Sequence, residues 1–280
     1  MQTADMGLRN LLCVTVLLYN VTGCLSIIGG QDVRRGAWPW MVHLEVSYRR
    51  NYTEEYGGSL VSDQWVMTTA GWWTEDVDLE RSFAHVGELS LKEPSGRLVR
   101  LKWVLHPEYR NNRGISNNIA LVQLQEAVCF SDTVKPVVLP SPRDQFSEDT
   151  ECWLTGWGHI TLGWPLGGKQ TLQEVQVSLF DDATCRQIYP WMTDRELCAG
   201  DRKGLKGACM GDSGAPLVCV LGEVERRFVQ VGLVSHWHCA RDLVGKPDVY
   251  TRVLHHTQFI RDTIQEAECS DLPPFEACFL

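Results

Sequence analysis

The chain has 280 residues, 44% of them hydrophobic and 22% charged, with a formal net charge of −9. This is an ordinary globular composition, long enough for one large domain or two small ones. The acidic balance argues against a nucleic-acid partner, which needs a basic face, and no run of about 18 apolar residues marks a transmembrane segment beyond the N-terminus.

At the N-terminus, Arg9 precedes a short apolar run, Leu11 to Tyr19, followed by the small residues Thr22, Gly23 and Ser26. This is the layout of a secretory signal peptide, expected over 1–23, with 24–26 left as a short pro-segment. Eleven cysteines fit an oxidising compartment. Cys13 leaves with the signal peptide; a cut after Gly23 then leaves ten, an even number, whereas a cut after Ser26 also removes Cys24 and leaves nine. Asn51-Tyr-Thr53 is a glycosylation acceptor sequence, and the polar stretch Tyr48 to Glu55 around it reads as an exposed loop.

From Ile27 to Leu139 the chain alternates short strand-like runs with turn signals. Trp40–Val46, Gly58–Val61, Trp65–Thr69, Leu98–Leu105 and Ile119–Leu124 are runs of this kind. The texture resumes after Ser141 with Cys152–Trp157, Leu172–Leu179, Phe228–Val234 and Val249–Val253. Such evenly spaced runs, rich in Val, Thr and aromatics, predict an all-β barrel or sandwich. The paired prolines of Leu139-Pro-Ser-Pro-Arg143 mark a linker. Helical period is confined to the segment after His255, with Phe259, Ile260 and Ile264 on one face, and a tail with Cys269 and Cys278 follows.

The chemistry centres on Gly207-Ala-Cys-Met-Gly-Asp-Ser-Gly-Ala-Pro-Leu-Val-Cys219. A serine between glycines has the form of a nucleophile loop, because glycines permit a tight turn that aims amide N–H groups at a reacting carbonyl. Other marks stand in order around it. They are Ile27-Ile-Gly-Gly30, Trp38-Pro-Trp40, Gly57-Gly-Ser-Leu60, Trp65-Val-Met-Thr-Thr-Ala70, Asn118-Ile-Ala-Leu121, Thr155-Gly-Trp-Gly158 and Lys246-Pro-Asp-Val-Tyr-Thr-Arg252. Together these resemble the chymotrypsin/trypsin-like serine proteases from Ile27 to about Ala267, and the wording at Leu172-Gln-Glu-Val175 is similar to the tryptase and testisin-like branch.

The resemblance implies two packed six-stranded antiparallel Greek-key barrels, one over 27–139 and one over 140–254, a helix over 255–267 and a tail over 268–280. It implies the disulfides Cys152–Cys219, Cys185–Cys198 and Cys209–Cys239. The four remaining cysteines allow three connectivities, of which Cys24–Cys129 with Cys269–Cys278 is the simplest. It also implies an oxyanion-type turn at Gly211 and Ser213, and an activation pairing of Asp212 with a new amino group at Ile27.

Measured against that pattern, the catalytic set is incomplete. Serine needs a base within reach and an acid to orient the base. Where the family has histidine this chain has Gly71, and where it has aspartate it has Asn118, leaving Ser213 alone. In trypsin, the worked case of this triad, the acid-to-amide change costs about 10⁴ in turnover, and loss of any member leaves about 10³–10⁴ over water. The expectation is an inactive homologue acting by binding an unidentified protein. The alternative is a weak or unconventional serine endopeptidase using Ser213 with a histidine from elsewhere, His236 and His238 being the nearest in the chain. The family's neighbouring disulfide is absent too, with Tyr56 and Trp72 at its positions; either Tyr56 and Trp72, with or without Trp73, fill the space left by imidazole and disulfide, or the loop is merely loosened. In the specificity pocket, Gly207 stands where trypsin-like members carry aspartate and Asp248 replaces a glycine. Trp237, beside Ser235, narrows or caps the mouth. Ala215 replaces the family's second glycine and adds a methyl to a tight loop. No metal-ligand spacing and no phosphate-cradling loop occurs, so no cofactor is expected.

Overall fold

A computed structural model describes residues 27–105, 108–111, 115–222, 224–239 and 246–270. The signal-peptide region, Cys13, Cys24, His106 and Cys278 lie outside the described residues. In chain order the elements are β1 (Gln31–Asp32), β2 (Met41–Tyr48), β3 (Tyr52–Leu60), β4 (Trp65–Thr68), β5 (Phe83–Val86), β6 (Arg97–Leu105), β7 (Arg110–Asn111), β8 (Ile115–Ser116) and β9 (Ala120–Leu124). There follow β10 (Cys152–Gly156), β11 (Gln173–Leu179), α1 (Asp182–Ile188), β12 (Glu196–Gly200), β13 (Pro216–Leu221), β14 (Arg227–His236), β15 (Asp248–Arg252) and α2 (Thr257–Ser270).

Six strands close a barrel in the order β2-β3-β4-β9-β6-β5. A second sheet runs β1-β11-β10-β13-β14-β15-β12, and β11 also pairs with β12, which curls it back on itself. The mostly-β, two-sheet fold with a C-terminal helix is the expected one. Residues 27–32 depart from the halves expected for the barrels, because β1 pairs with β11 and Ile28 bridges Gly207, both in the second sheet.

Strand alternation explains the packing. In β4, Val66 points into the first barrel with Val42, Leu44 and Val122, while Trp65 and Met67 point the other way. In and beside β9, Ala120, Val122 and Leu124 line the barrel, while Ile119 and Leu121 join Trp65, Met67, Leu233, Val253 and Ile260 in a separate core between the sheets and α2. Strands buried on both faces therefore read as continuous apolar runs, which is why these were visible in the sequence.

Three expectations need correction. Tyr48 to Glu55 is a hairpin rather than a loop: β2 and β3 pair from Met41↔Ser59 to Tyr48↔Tyr52, although Asn51 is exposed in its turn as foreseen. The short helix α1 was not anticipated; Asp181 caps it by accepting from Thr184 N–H at 2.8 Å. The C-terminal helix starts at Thr257 and continues to Ser270, beyond the expected end. The three family disulfides, Cys152–Cys219, Cys185–Cys198 and Cys209–Cys239, are formed. Cys129 is exposed and unbridged to any described residue.

Candidate functional site

The site lies where the two sheets meet. Gly57 N–H, on β3, donates to Ser213 O at 2.9 Å, and Thr251 Oγ1, on β15, donates to Asn118 O at 2.9 Å. These cross-sheet bonds bring Gly71, Asn118 and Ser213 to one cleft although they are far apart in sequence.

Asn118 is buried, and its amide is fully used. Oδ1 accepts from the N–H groups of Ala70 and Gly71, both at 2.9 Å, and Nδ2 donates to Ser235 Oγ at 2.8 Å. The amide thus accepts as a carboxylate would on the loop side, but it carries no charge to stabilise an imidazolium. At Gly71 a Cβ would stand 3.3 Å from Tyr109 Oη and 3.6 Å from Asn118 Oδ1. Tyr109, half-buried against the first barrel's core, therefore occupies the space next to the missing side chain, and burial raises its phenol above the ordinary range. Tyr109 was not singled out from the sequence; nothing in the polar segment around it marks the contact.

The positions of the absent disulfide carry a stacked pair. Tyr56 and Trp72 lie 5.6 Å apart at an interplanar angle of 23°. Tyr48 Oη donates to Trp72 O at 3.0 Å and lies 3.1 Å from Tyr56 Oη. Tyr56 and Trp73 are buried in the first barrel's core, whereas Trp72 stays 42% exposed. Tyr56 and Trp72 thus stack at these positions, and beyond its chain neighbours Gly71 has Tyr109 Oη and Asn118 Oδ1 beside it.

Ser213 is buried beneath Trp237, whose indole Nε1–H donates to Ser213 Oγ at 2.9 Å. The tryptophan thus covers the hydroxyl itself. The turn around Ser213 keeps its shape. Gly211 and Gly214 take φ of 92° and 81°, a region that favours glycine. Among the described residues, neither Gly211 N–H nor Ser213 N–H donates to another backbone group. The Ala215 methyl is accommodated opposite Gly57, where a Cβ would come within 2.6 Å of it.

Two buried carboxyls flank this turn. Asp212 accepts from Gly158 N–H and Cys209 N–H, each at 2.9 Å, and burial pushes its pKa up to about 7. Ile27, at φ 50°, is fully buried nearby: a Cβ on Gly156 would lie 3.6 Å from Ile27 Cδ1 and closer still to Asp212. Asp248 accepts from Ala208 N–H at 2.7 Å and His238 N–H at 3.3 Å, and burial again raises its pKa to about 7. A Cβ on Gly207 would stand 2.5 Å from Asp248 Oδ2, so the carboxyl fills the space over Gly207. A carboxyl on the opposite pocket wall thus needs the glycine at 207, and the two departures from the family pattern are complementary.

The histidines at the end of β14 and two residues beyond it are engaged elsewhere. His238 Nε2 lies 2.6 Å from Tyr189 Oη, while His236 makes edge contacts with Trp191 and His238. Desolvation lowers the pKa of both. Among the described residues Ser213 Oγ has Trp237 as its side-chain partner and no imidazole. A groove of 620 Å³ lined by Phe146, Leu179, Phe180 and Leu197 shares no residue with the cleft. No group of described residues is arranged to hold a metal ion, and no described helix is long and apolar enough to cross a membrane.

Two curled antiparallel sheets meeting at a serine turn define the trypsin-like class. The Trypsin family model matches residues 27–260, and the chain belongs to that family.

Proposed function

We propose that this chain is a secreted trypsin-family protein without peptidase activity, which acts by binding a protein partner at the rim of its closed cleft. The observation that carries the reading is the state of Ser213, whose hydroxyl is bonded to the Trp237 indole. At the position of the base, Gly71 offers no proton acceptor and faces Tyr109 Oη instead. Without a base the serine remains a weak nucleophile at neutral pH. The cleft rim supports a binding role, because Trp72, Trp164, Leu162 and Met210 are exposed there and on the neighbouring loops, and exposed tryptophans are favoured anchors at interfaces.

The same reading places the protein in the tryptase and testisin-like branch. It holds that 1–23 is removed as a signal peptide, that Asn51 carries a glycan, and that Cys24 pairs with Cys129. The domain spans 27–267 as two barrels and a helix. The reading further holds that Asp212 is the partner of an amino group freed at Ile27, a pairing that here has no catalytic purpose.

Treatment of the secreted protein with a fluorophosphonate probe tests the central point. No labelling is expected at Ser213. Labelling that disappears in Ser213→Ala overturns the reading in favour of a serine hydrolase.

A further inference from the structure

The groove that shares no residue with the cleft opens into the core of the second sheet. Its floor is Leu197 on β12 and Val231 on β14, both buried in that core. Its walls are Phe146, from the segment after the linker, Leu179 at the end of β11, and Phe180 just beyond it. Phe146 and Leu179 pack against the core yet stay half-buried, so apolar surface is left facing the groove. At 620 Å³ the space is large enough for a drug-sized apolar molecule.

The mouth of the groove is acidic. Asp144, Glu148, Asp181 and Asp182 line it, against Arg252 as the one lining cation. Arg252 is already committed, donating through Nη2 to Asp182 Oδ1 at 2.6 Å and to Glu196 O at 2.9 Å. Asp144 has Arg227 at 3.4 Å. Asp181 is different. It accepts from the Thr184 hydroxyl at 2.6 Å and the Thr184 N–H at 2.8 Å, bonds that hold its carboxyl below the ordinary range, and it forms no ion pair with a described residue. Its carboxyl also interacts with that of Glu148. The chain itself shows what this corner accepts. Arg202 lays its guanidinium 4.9 Å from the centroid of the Phe180 ring and donates to Glu148. One aromatic wall and one carboxylate thus already hold a cation, and Asp181 beside them has none.

We infer that this groove is a binding site for an amphiphilic amine, a small molecule with an apolar body and a protonated amino or guanidino head. The body lies along Phe146, Leu179, Leu197 and Val231, and the head sits at Asp181 and Glu148 beside the Phe180 ring. Placing the body removes apolar surface from water at the floor, while the head stays at exposed carboxylates and keeps part of its hydration. The same arrangement rejects a fatty acid of equal length, whose carboxylate meets like charge at the mouth. The site is separate from the serine cleft, so the inference stands independently of the state of Ser213.

The test is calorimetric titration of the purified secreted chain with decylamine, 1-decanol and decanoate, three probes with one tail and different heads, kept below micelle formation. Decylamine is expected to bind, 1-decanol to bind about tenfold more weakly, and decanoate not to bind, as for a charged contact made, lost or reversed. Asp181→Asn keeps a good cap on α1 and is expected to weaken decylamine about tenfold while leaving 1-decanol unchanged. Arg202→Ala frees Phe180 and Glu148 and is expected to strengthen decylamine about fivefold. Val231→Phe fills the floor and is expected to abolish binding of both; the opposite shifts in Asp181→Asn and Arg202→Ala carry the test if that variant does not fold. Asp63→Asn, at an exposed carboxylate outside the groove, is expected to change nothing. Equal binding of decanoate overturns the charge assignment. Decylamine binding that survives Asp181→Asn and Val231→Phe but is lost in Asp248→Asn places the amine in the cleft and overturns the groove. Absence of decylamine binding overturns the site, and a dimer in sedimentation that Leu179→Glu then dissociates gives the groove to a second copy of the chain.

Discussion

In the proposed reading, the absence of a side chain at Gly71 is only part of what separates this cleft from a working one. Tyr109 Oη stands 3.3 Å from where a Cβ would begin, and Trp237 is bonded to the serine that a new base would have to reach. Gly71→His alone, or with Asn118→Asp, is therefore expected to leave hydrolysis of a fluorogenic ester at background. Adding Tyr109→Ala and Trp237→Gly to that pair is expected to raise the rate by about 10²-fold, within the range that a triad supplies. Activity in the double variant with both aromatics intact speaks against the occlusion described here. At Asp248 the expectation concerns pH. Its folded pKa, about 7, lies above the ordinary carboxyl value of 3.8. Its favourable contribution is thus fully present below pH 3.8 and is lost as pH rises towards 7, because the unfolded chain releases the proton first. Measured by denaturant midpoints, Asp248→Asn is expected to gain stability relative to the parent as pH goes from about 4 to 7. A difference that moves the other way contradicts a buried, proton-holding Asp248.

At the scale of elements, packed rings hold the corner around β3 and the loop after β4. The two members of the pair are not equivalent. Tyr56 is buried in the barrel core and bonded to Tyr48, while Trp72 lies on the outside of the stack. Tyr56→Ala is expected to cost about 3 kcal/mol or more, as a large core truncation does, and Trp72→Ala about 1 kcal/mol, the worth of an aromatic pair. Equal costs in urea unfolding indicate that the stack is not organised this way. This corner also shows where sequence reading falls short. Tyr56 and Trp72 are legible as replacements for a disulfide because their positions are fixed by neighbouring motifs. Tyr109 comes from a different stretch of chain, and no local pattern records that it folds back over Gly71. Likewise, Glu54 and Glu55 read as loop because charged residues depress strand propensity, yet pairing with β2 makes them strand.

For the whole molecule, the fold was open to sequence reading because its strands are buried on both faces and its turns carry glycines at fixed places. Strands β1, β5, β7, β8, β12 and β13 were not picked out, being short, mixed with polar residues or half-hidden in longer motifs. The placement of Ser213, Asn118 and Gly71 in one cleft followed from the family pattern. What the pattern did not contain is that Trp237 closes on the serine and that Asp248 lies over Gly207, since both depend on contacts across the sheet. The result is a trypsin-family framework around a serine bonded to Trp237, which the proposed function reads as a serine without a base. The most direct test is ester hydrolysis by purified protein beginning at Ile27, compared with the same protein carrying Ser213→Ala. The account predicts indistinguishable rates at neutral pH; an excess in the parent that vanishes in Ser213→Ala contradicts it.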